Sequence, residues 1–270
     1  MLKFHGKTGD NTMADKNYLH TAYAYSADGT DRFTTVYPNL NLLDGTRDFS
    51  GTWINSSGWV TDGTYKGLTV KSSESNAQGL FQRLTIPADG DYTFSIYVSA
   101  TNGLKPTLGI GKNGNSLQYS PISSSPSDMT RISYLAKGLK KGDVMTARIE
   151  NGSGVSSKVS VAGYKWEPGS TATPYMQSAS EVTNADWPKY VGTYVDTNQV
   201  SSTDPSKYVW DEMKYRVYLD GVPVGGSKLL SFDLENLKAG TSYYVQVSQI
   251  NGNIESDKSE SVAFKTTLTK

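Results

Sequence analysis

The sequence contains no cysteine and only two histidines, and each scarcity excludes a class of site. Without cysteine there is no disulfide, no thiolate zinc site and no cysteine nucleophile. Both histidines, His5 and His20, lie in the first twenty residues. Residues 21–270 therefore cannot by themselves assemble a Ser/His/Asp triad or a histidine-ligated metal centre.

Long apolar runs and concentrations of one charge are also missing. Apolar stretches are short, as in Ile96-Tyr97-Val98, and none approaches the roughly 20 residues that span a bilayer. The 26 basic residues balance 26 acidic ones without clustering, so we expect neither membrane insertion nor nucleic-acid binding. The first residues lack the apolar core of a signal peptide, and we expect export by another route, such as packaging into a particle.

What is abundant favours β-strands. The chain has 18 tyrosines and 26 glycines, and helical periodicity is almost absent. Turn dipeptides recur along the chain: Asp28-Gly29, Asp44-Gly45, Asp62-Gly63, Asp89-Gly90, Asn113-Gly114, Asn151-Gly152, Asp220-Gly221 and Asn251-Gly252. Such spacing is typical of sandwiches and barrels, and the predicted fold class is all-β.

The pattern divides the chain into four parts. Residues 1–38 are predicted to form an N-terminal arm or hairpin, with strands at 19–25 and 32–37, that leans on a neighbouring domain or partner chain. Residues 39–177 form the larger sandwich, in which Tyr92, Phe94, Ile96 and Val98 share a core face and Tyr97 lies on the polar, exposed face. Residues 178–210 are a connector with one strand at 190–195, anchored by Trp187 and Trp210, and residues 211–270 form a smaller sandwich.

The C-terminal part carries a local signature. In Leu234-Glu-Asn-Leu-Lys-Ala-Gly240-Thr-Ser-Tyr243 a tyrosine follows a tight glycine turn and enters a strand. This resembles the tyrosine corner of fibronectin type III domains, where the phenol binds a backbone group upstream. The resemblance implies a small immunoglobulin-like sandwich over about 55 residues. It departs from the family before Tyr215, where the first two strands are missing, so either residues 190–195 and 208–210 serve instead or another element completes the domain.

The larger part resembles the jelly-roll carbohydrate-binding modules of glycosidases and phage tail proteins. The stretches that carry the resemblance are Asn39-Leu-Asn-Leu-Leu-Asp44, residues 79–82 with 87–98, and the closing Gly163-Tyr-Lys-Trp-Glu-Pro-Gly-Ser-Thr-Ala-Thr-Pro-Tyr175. That ending, residues 188–196 with 204–210, and residues 19–30 are similar to segments of tail and baseplate proteins of Gram-positive phages. The resemblance implies a virion protein of a lactic-acid-bacterium siphophage, a baseplate accessory or receptor-binding protein.

The implied function is non-catalytic adhesion to a host cell-wall polysaccharide, beside contacts with other tail or baseplate proteins. Sugar rings stack on exposed aromatic side chains and bond to amides and charges. The candidate carbohydrate-binding residues are Trp59, Trp53, Tyr65, Tyr97, Gln82, Arg83 and Tyr119. Each has a structural alternative: a loop tryptophan can plug the end of a sandwich, an exposed tyrosine is common, and Gln82 can be a satisfied buried amide.

Two other functions stay open at this point. The chain can be a purely structural tail or baseplate spacer without a sugar site, which predicts buried tryptophans. It can also be a two-carboxylate glycosidase, for which Glu74, Glu150 and Glu167 are candidates only by elimination. No cofactor is expected. A structural calcium ion would draw on Asp44, Asp48 and Glu167, with no metal as the alternative.

Overall fold

The computed structural model describes residues 3–6, 17–74, 79–122, 127–151 and 157–267, and in this part strands predominate. The chain forms two compact units, one of residues 39–182 and one that joins the residues up to 38 to those from 183 onward. Among the described residues no helix has the length and apolar character needed to cross a membrane. The helical segments are the 3₁₀ turns Ser56–Gly58, Asn184–Asp186 and Pro205–Lys207.

The strands, numbered along the chain, have the following bounds. They are β1 (Lys3–Gly6), β2 (Tyr18–Ala24), β3 (Val60–Tyr65), β4 (Leu68–Ser73), β5 (Arg83–Thr85), β6 (Gly90–Ala100), β7 (Thr107–Lys112), β8 (Gln118–Pro121), β9 (Thr130–Leu139), β10 (Val144–Glu150), β11 (Val159–Pro168), β12 (Tyr190–Asp196), β13 (Val209–Glu212), β14 (Tyr215–Leu219), β15 (Val222–Ser227), β16 (Ser231–Leu234), β17 (Ser242–Asn251), β18 (Ile254–Glu255) and β19 (Val262–Lys265). The predicted all-β class is confirmed.

Residues 39–182 form a jelly-roll-like sandwich of two sheets. One sheet has the order β5-β10-β7-β8 and the other the order β3-β4-β11-β6-β9. The predicted alternation of β6 is confirmed on its inner side, because Tyr92, Phe94, Ile96 and Val98 all belong to the main core cluster. Alternation along a strand places one face of each sheet in this core and leaves the opposite faces outside it.

The outer face of the five-stranded sheet is covered by the chain that follows β11. Thr173 bonds through its backbone N–H to Glu167 (2.9 Å), and its carbonyl accepts a hydrogen bond from Arg131 (3.1 Å). Tyr175 packs on a cluster that contains Leu68 and Tyr97. The part of the closing run that follows β11, residues 169–175, therefore acts as a structural cover for this sheet.

A fully buried ion pair lies beneath that cover. The Lys165 ammonium lies 3.1 Å from a Glu167 carboxylate oxygen, and both side chains are 0 % exposed. Lys165 also donates to Thr173 Oγ1 (2.7 Å) and to the Pro174 carbonyl (2.8 Å). Burial lowers the pKa of Lys165 from 10.5 to about 7, although the Glu167 charge opposes this shift. The buried charges of Lys165 and Glu167 thus find their ion-pair and hydrogen-bond partners within the closing run itself, as buried charges require.

The second unit pairs the N-terminal residues with the connector. Strand β12 lies between β13 and β2, and it pairs with all seven residues of β2, from Tyr18 to Ala24. The predicted strand at 190–195 is confirmed, and the described arm residues pair within their own chain. The predicted strand at 32–37 is wrong, since this segment forms only the isolated bridge of Thr34 with Tyr23.

The C-terminal residues form a sheet with the order β15-β14-β17, to which β18 and β19 also pair through β17. The predicted tyrosine corner is confirmed, because the Lys238 backbone N–H donates to the Tyr243 hydroxyl at 2.9 Å. Strand β16 pairs in parallel with β1. Strand β12 pairs with β13 on one side and with β2 on the other, so β12 and β13 belong to a separate sheet and do not replace the first two strands of the small sandwich.

Two aromatic anchors hold the connector, as the sequence predicted. Arg216 donates to the Tyr37 hydroxyl (3.1 Å), forms an ion pair with Glu255 and lies 5.0 Å from the Trp187 ring centroid. Trp210 donates through Nε1 to the Pro205 carbonyl at 2.9 Å. The Arg216 contacts join Tyr37 and Trp187 to the C-terminal strands, and the Trp210 bond closes a turn within the connector.

Candidate functional site

The seven candidate sugar-binding residues do not come together in one place. Trp53 and Trp59 lie in the sandwich core, and Tyr65 and Tyr97 lie together under the cover of the five-stranded sheet. Gln82 directly precedes β5. Arg83 and Tyr119 belong to strands of the four-stranded sheet. Among the seven candidates, Arg83 and Tyr119 are exposed on one and the same sheet, the four-stranded one.

The two tryptophans are a correction to the sequence-based expectation. Their relative exposures are 7 % for Trp53 and 6 % for Trp59. Trp53 packs on Phe49 and Tyr164, with ring centroids 4.8 and 5.1 Å away, and donates through Nε1 to the Ser50 carbonyl. The glycine- and serine-rich loops around them place both indole rings in the core. Neither ring therefore has an exposed surface on which a sugar could stack.

Tyr97 is a second correction, because it was expected to be exposed and is 7 % exposed. Its ring contacts Tyr65 at 5.2 Å and lies 5.0 Å from the Arg131 guanidinium, and Tyr175 packs on the same cluster. The cause is the covering segment after β11. Gln82 is half-buried and donates to the Asp44 carbonyl at 3.1 Å, which is the alternative role of a satisfied amide.

The outer face of the four-stranded sheet has a row of three residues across its strands. Arg148 on β10 is opposite Gly109 on β7, and Gly109 is opposite Tyr119 on β8. A Cβ atom at Gly109 would lie 2.8 Å from Tyr119 Cε1. The missing side chain therefore lets the phenol ring lean across β7, where its hydroxyl accepts a hydrogen bond from Arg148 Nη2 at 3.1 Å. Tyr119 remains 49 % exposed.

A neighbouring row adds a second arginine. Arg83 on β5 is opposite Thr146 on β10, which is opposite Gly111 on β7. Phe81 lies beneath the arginines: its ring centroid is 5.8 Å from the Arg83 guanidinium carbon and 5.5 Å from that of Arg148. Guanidinium groups stack well on aromatic rings, so Phe81 holds both side chains along the sheet.

Arg148 and Glu150 leave polar atoms without partners on this face. Glu150 Oε1 lies 2.5 Å from Arg148 Nη2 in an ion pair. That oxygen and Arg148 Nε are nevertheless buried without a hydrogen bond of acceptable geometry. Both atoms are buried and are not themselves ligand contacts; the ion pair instead holds the Arg148 side chain beside Tyr119. We use the name four-stranded face for the surface formed by Tyr119, Arg83, Arg148 and Glu150, with Phe81 packed beneath the two arginines.

Sequence reasoning missed Arg148 and Phe81 and considered Glu150 only as a catalytic acid. The signal was present in β10, where Met145, Ala147 and Ile149 are buried and alternate with Thr146, Arg148 and Glu150. This period of two places the charged residues on the outer face. It does not tell which outer face stays uncovered.

The carboxylates proposed for catalysis or calcium do not converge. Glu167 is buried against Lys165, Glu74 is exposed at the end of β4, and Glu150 belongs to the other sheet. Among the described residues no group of three or more His, Asp and Glu side chains can hold a metal ion, so Asp44, Asp48 and Glu167 do not form a common site. Asp44 instead accepts from Ser180 (2.8 Å) and Asp48 from the Ser50 N–H (2.9 Å). The hydroxyls of Ser178 and Ser180 lower the pKa of Asp44, and the hydroxyl and N–H of Ser50 lower that of Asp48.

One serine, histidine and aspartate do meet in the second unit. His20 lies 3.0 Å from Ser201 Oγ and 2.9 Å from Asp196 Oδ1, and it stacks on Tyr194. A hydrolase also needs backbone donors for an oxyanion beside the serine. The flanking amides of Val200 and Ser202 are already bound to the Asn198 and Tyr194 side chains. The trio therefore ties β2 to the chain after β12.

Comparison with known proteins places the chain among virion components. It is 47% identical to a chain in the structure of the tripod (BppUct-A-L) from the baseplate of bacteriophage Tuc2009, over 96% of this chain and 100% of that one, with a TM-score of 0.71. The chain belongs to this family of phage baseplate proteins. Residues 188–246 also match the family described as minor structural protein 5-like, C-terminal domain. The predicted location in the virion, at the baseplate, is confirmed.

Weaker matches cover about half of the baseplate chain. One is TmCBM61 in complex with β-1,4-galactotriose, at 13% identity over 48% of this chain and 99% of that one, with a TM-score of 0.37. Another is the carbohydrate-binding module CBM6cm-2 from Cellvibrio mixtus lichenase 5A in complex with cellotriose, at 15% identity over 50% and 98%, with a TM-score of 0.32. No curated protein sequence matches the chain.

Proposed function

We propose that this baseplate protein is a non-catalytic adhesin of a lactic-acid-bacterium siphophage that binds host cell-wall polysaccharide through its four-stranded face. The observation that carries the proposal is the exposed Tyr119 ring fixed beside Arg148 and Glu150. The ring offers a stacking surface for sugar C–H groups, and the charged side chains offer donors and acceptors for hydroxyls.

A non-catalytic role fits the chemistry of this face. Hydrolysis of a glycosidic bond generally needs two carboxyl groups on either side of that bond. Glu150 is the one carboxylate on strands β5, β7, β8 and β10, and it is paired with Arg148. Weak binding at each copy suffices for adhesion, since several copies on one particle add avidity without new contacts.

The alternative is a spacer that has no sugar site of its own. The buried tryptophans favour it, because they remove two of the expected sugar contacts. The related structure is that of a tripod, so we propose that this chain also contacts other baseplate proteins. A spacer function predicts that the isolated protein binds no wall polysaccharide, whatever residue stands at position 119.

The test is binding of the fluorescently labelled, purified chain to candidate lactic-acid-bacterium host cells and to mutants that lack wall polysaccharide. We expect binding only to cells that carry the polysaccharide, and a loss of about tenfold or more in affinity for Tyr119→Ala, equivalent to about 1.4 kcal/mol. Tyr134→Ala is the matched control, as Tyr134 is an exposed tyrosine on β9 of the other sheet. Equal binding to both cell types, or no binding, contradicts the proposal.

A further inference from the structure

The four-stranded face carries a net positive charge, which comes from Arg83 on the edge strand β5. Arg148 and Glu150 neutralise each other as an ion pair. Arg83 is exposed, and its guanidinium contacts the Phe81 ring without forming an ion pair or hydrogen bond with any described residue. One full cationic charge therefore remains available on the strand next to Arg148, whose guanidinium group bonds to Tyr119, and a neutral sugar does not require it.

Arg83 and Arg148 also lie on adjacent strands. Thr146 is directly opposite Arg83, and Arg148 is two residues further along β10, so Arg83 and Arg148 are diagonal neighbours on one face. Diagonal Cβ atoms are about 7–8 Å apart, within reach of a common group for two long side chains. Both guanidinium carbons lie within 6 Å of the Phe81 centroid, which fixes them on one side of the sheet.

Arg148 brings a second guanidinium group to the same place, and it donates through Nη2 to the Tyr119 hydroxyl. Guanidinium donors match the oxygen geometry of carboxylates and phosphates, and such charge-assisted bonds are stronger than bonds to neutral hydroxyls. Glu150 Oε1 is the opposing oxygen nearby, and its charge is already offset by Arg148.

We infer that the saccharide bound by the four-stranded face carries an anionic group, a carboxylate or a phosphate, held between Arg83 and Arg148 beside the Tyr119 ring. This inference rests on the proposed function and specifies the ligand class of the same site. The competing explanation is that Arg83 merely covers Phe81 with its apolar stem, as long basic side chains often do.

The test separates these explanations with host wall polysaccharide divided by anion exchange into neutral and acidic fractions. The intact chain is expected to bind the acidic fraction about tenfold or more tightly, and to lose that preference as salt screens the contact. Arg83→Met keeps an apolar cover over Phe81 and removes the charge, so we expect about tenfold weaker binding to the acidic fraction. Arg47→Met is the matched control, because Arg47 is an exposed arginine of the same unit that lies outside both sheets.

Chemical treatment of the acidic fraction identifies the group. Reduction of carboxylates abolishes binding if a uronic acid is recognised, and cleavage of phosphodiesters abolishes it if a phosphate is recognised. Equal binding to both fractions, an unchanged Arg83→Met variant, or equal losses for Arg83→Met and Arg47→Met overturns the inference. If Tyr119→Ala still abolishes polysaccharide binding in those cases, the proposed function stands. A wild-type chain that binds neither fraction overturns both.

Discussion

The Tyr119 hydroxyl accepts a hydrogen bond from Arg148 Nη2 at 3.1 Å, although the two residues lie on strands separated by β7. The contact spans β7 because Gly109 stands between them without a side chain. The proposed binding surface on the four-stranded face thus depends on Gly109, although Gly109 has no side chain that could contact a ligand.

Gly109→Ala tests this dependence. The new Cβ would approach Tyr119 Cε1 to 2.8 Å, and the exposed ring can swing away at little cost. We expect a loss of about tenfold in polysaccharide affinity with a change in unfolding free energy below about 1 kcal/mol. Titration calorimetry and urea unfolding measure the two quantities. Unchanged affinity in a correctly folded variant means that the ring position is not used in binding.

Trp59→Ala should act on stability rather than on a binding surface. Trp59 belongs to the main core cluster, and truncation of a buried tryptophan typically costs about 3–5 kcal/mol. Urea unfolding followed by the remaining tryptophans checks this. A variant of native stability that has lost only sugar binding would show that the indole contacts the ligand after all.

A comparison of Tyr243 with Tyr97 shows which features a local sequence pattern can predict and which it cannot. Alternation along β6 and the glycine turn before Tyr243 are local patterns, and both predicted features are present in the structure. The burial of Tyr97 is set by residues 173–175, about 80 positions away, which fold back over its sheet. No period in β6 contains that information.

The four-stranded face is a second feature that local sequence pattern predicts only in part. The parity of Arg148 and Glu150 is readable from β10, but both sheets present an outer face and the sequence favoured Tyr97 on the one that the chain covers. Choosing correctly requires knowing which sheet the chain covers. The pairing of β1 with β16 is likewise a parallel contact between distant segments, which local pattern does not specify.

The buried Lys165–Glu167 pair should respond asymmetrically to substitution. Lys165→Met leaves a buried carboxylate without its cation, and we expect a loss of about 3–5 kcal/mol in unfolding free energy. Glu167→Gln should cost less when all variants are compared at pH 6, where the wild-type Lys165 is still charged. Its pKa is about 7, and removal of the Glu167 charge lowers it further, so the amine can become neutral. The double variant should recover much of the loss, since a glutamine oxygen can still accept from the Thr173 N–H. Urea unfolding of all four proteins gives the coupling energy, and strictly additive losses contradict this account.

Asp143 should contribute to the acid limb of the stability profile. Its carboxylate accepts from Lys112 (2.6 Å), the Lys140 N–H (2.8 Å) and Asn113 (2.9 Å), and these bonds, the one from Lys112 first, lower its pKa from 3.8 to about 2. The unfolded chain therefore binds this proton more readily, so the contribution is complete above pH 3.8 and is lost as the pH falls to about 2. Asp143→Asn should be less stable than wild type above pH 4 and should show a flatter decline below it. Chemical unfolding between pH 6 and pH 2 measures the difference, and parallel profiles for the two proteins would be evidence against this contribution.

The tyrosine corner offers a test with a matched neighbour. The Tyr243 hydroxyl accepts a hydrogen bond from the Lys238 N–H, whereas the adjacent Tyr244 is 54 % exposed. Tyr243→Phe removes one acceptor from a backbone donor, and we expect a cost of about 1 kcal/mol in unfolding free energy. Tyr244→Phe should cost less than about 0.5 kcal/mol, as surface changes usually do. Amide hydrogen exchange at Lys238 gives a local measurement, because its protection should fall in the Tyr243 variant alone. Equal protection in both variants would mean that the Lys238 N–H bonds to water as favourably as to the Tyr243 hydroxyl, and this bond would then have no stabilising role.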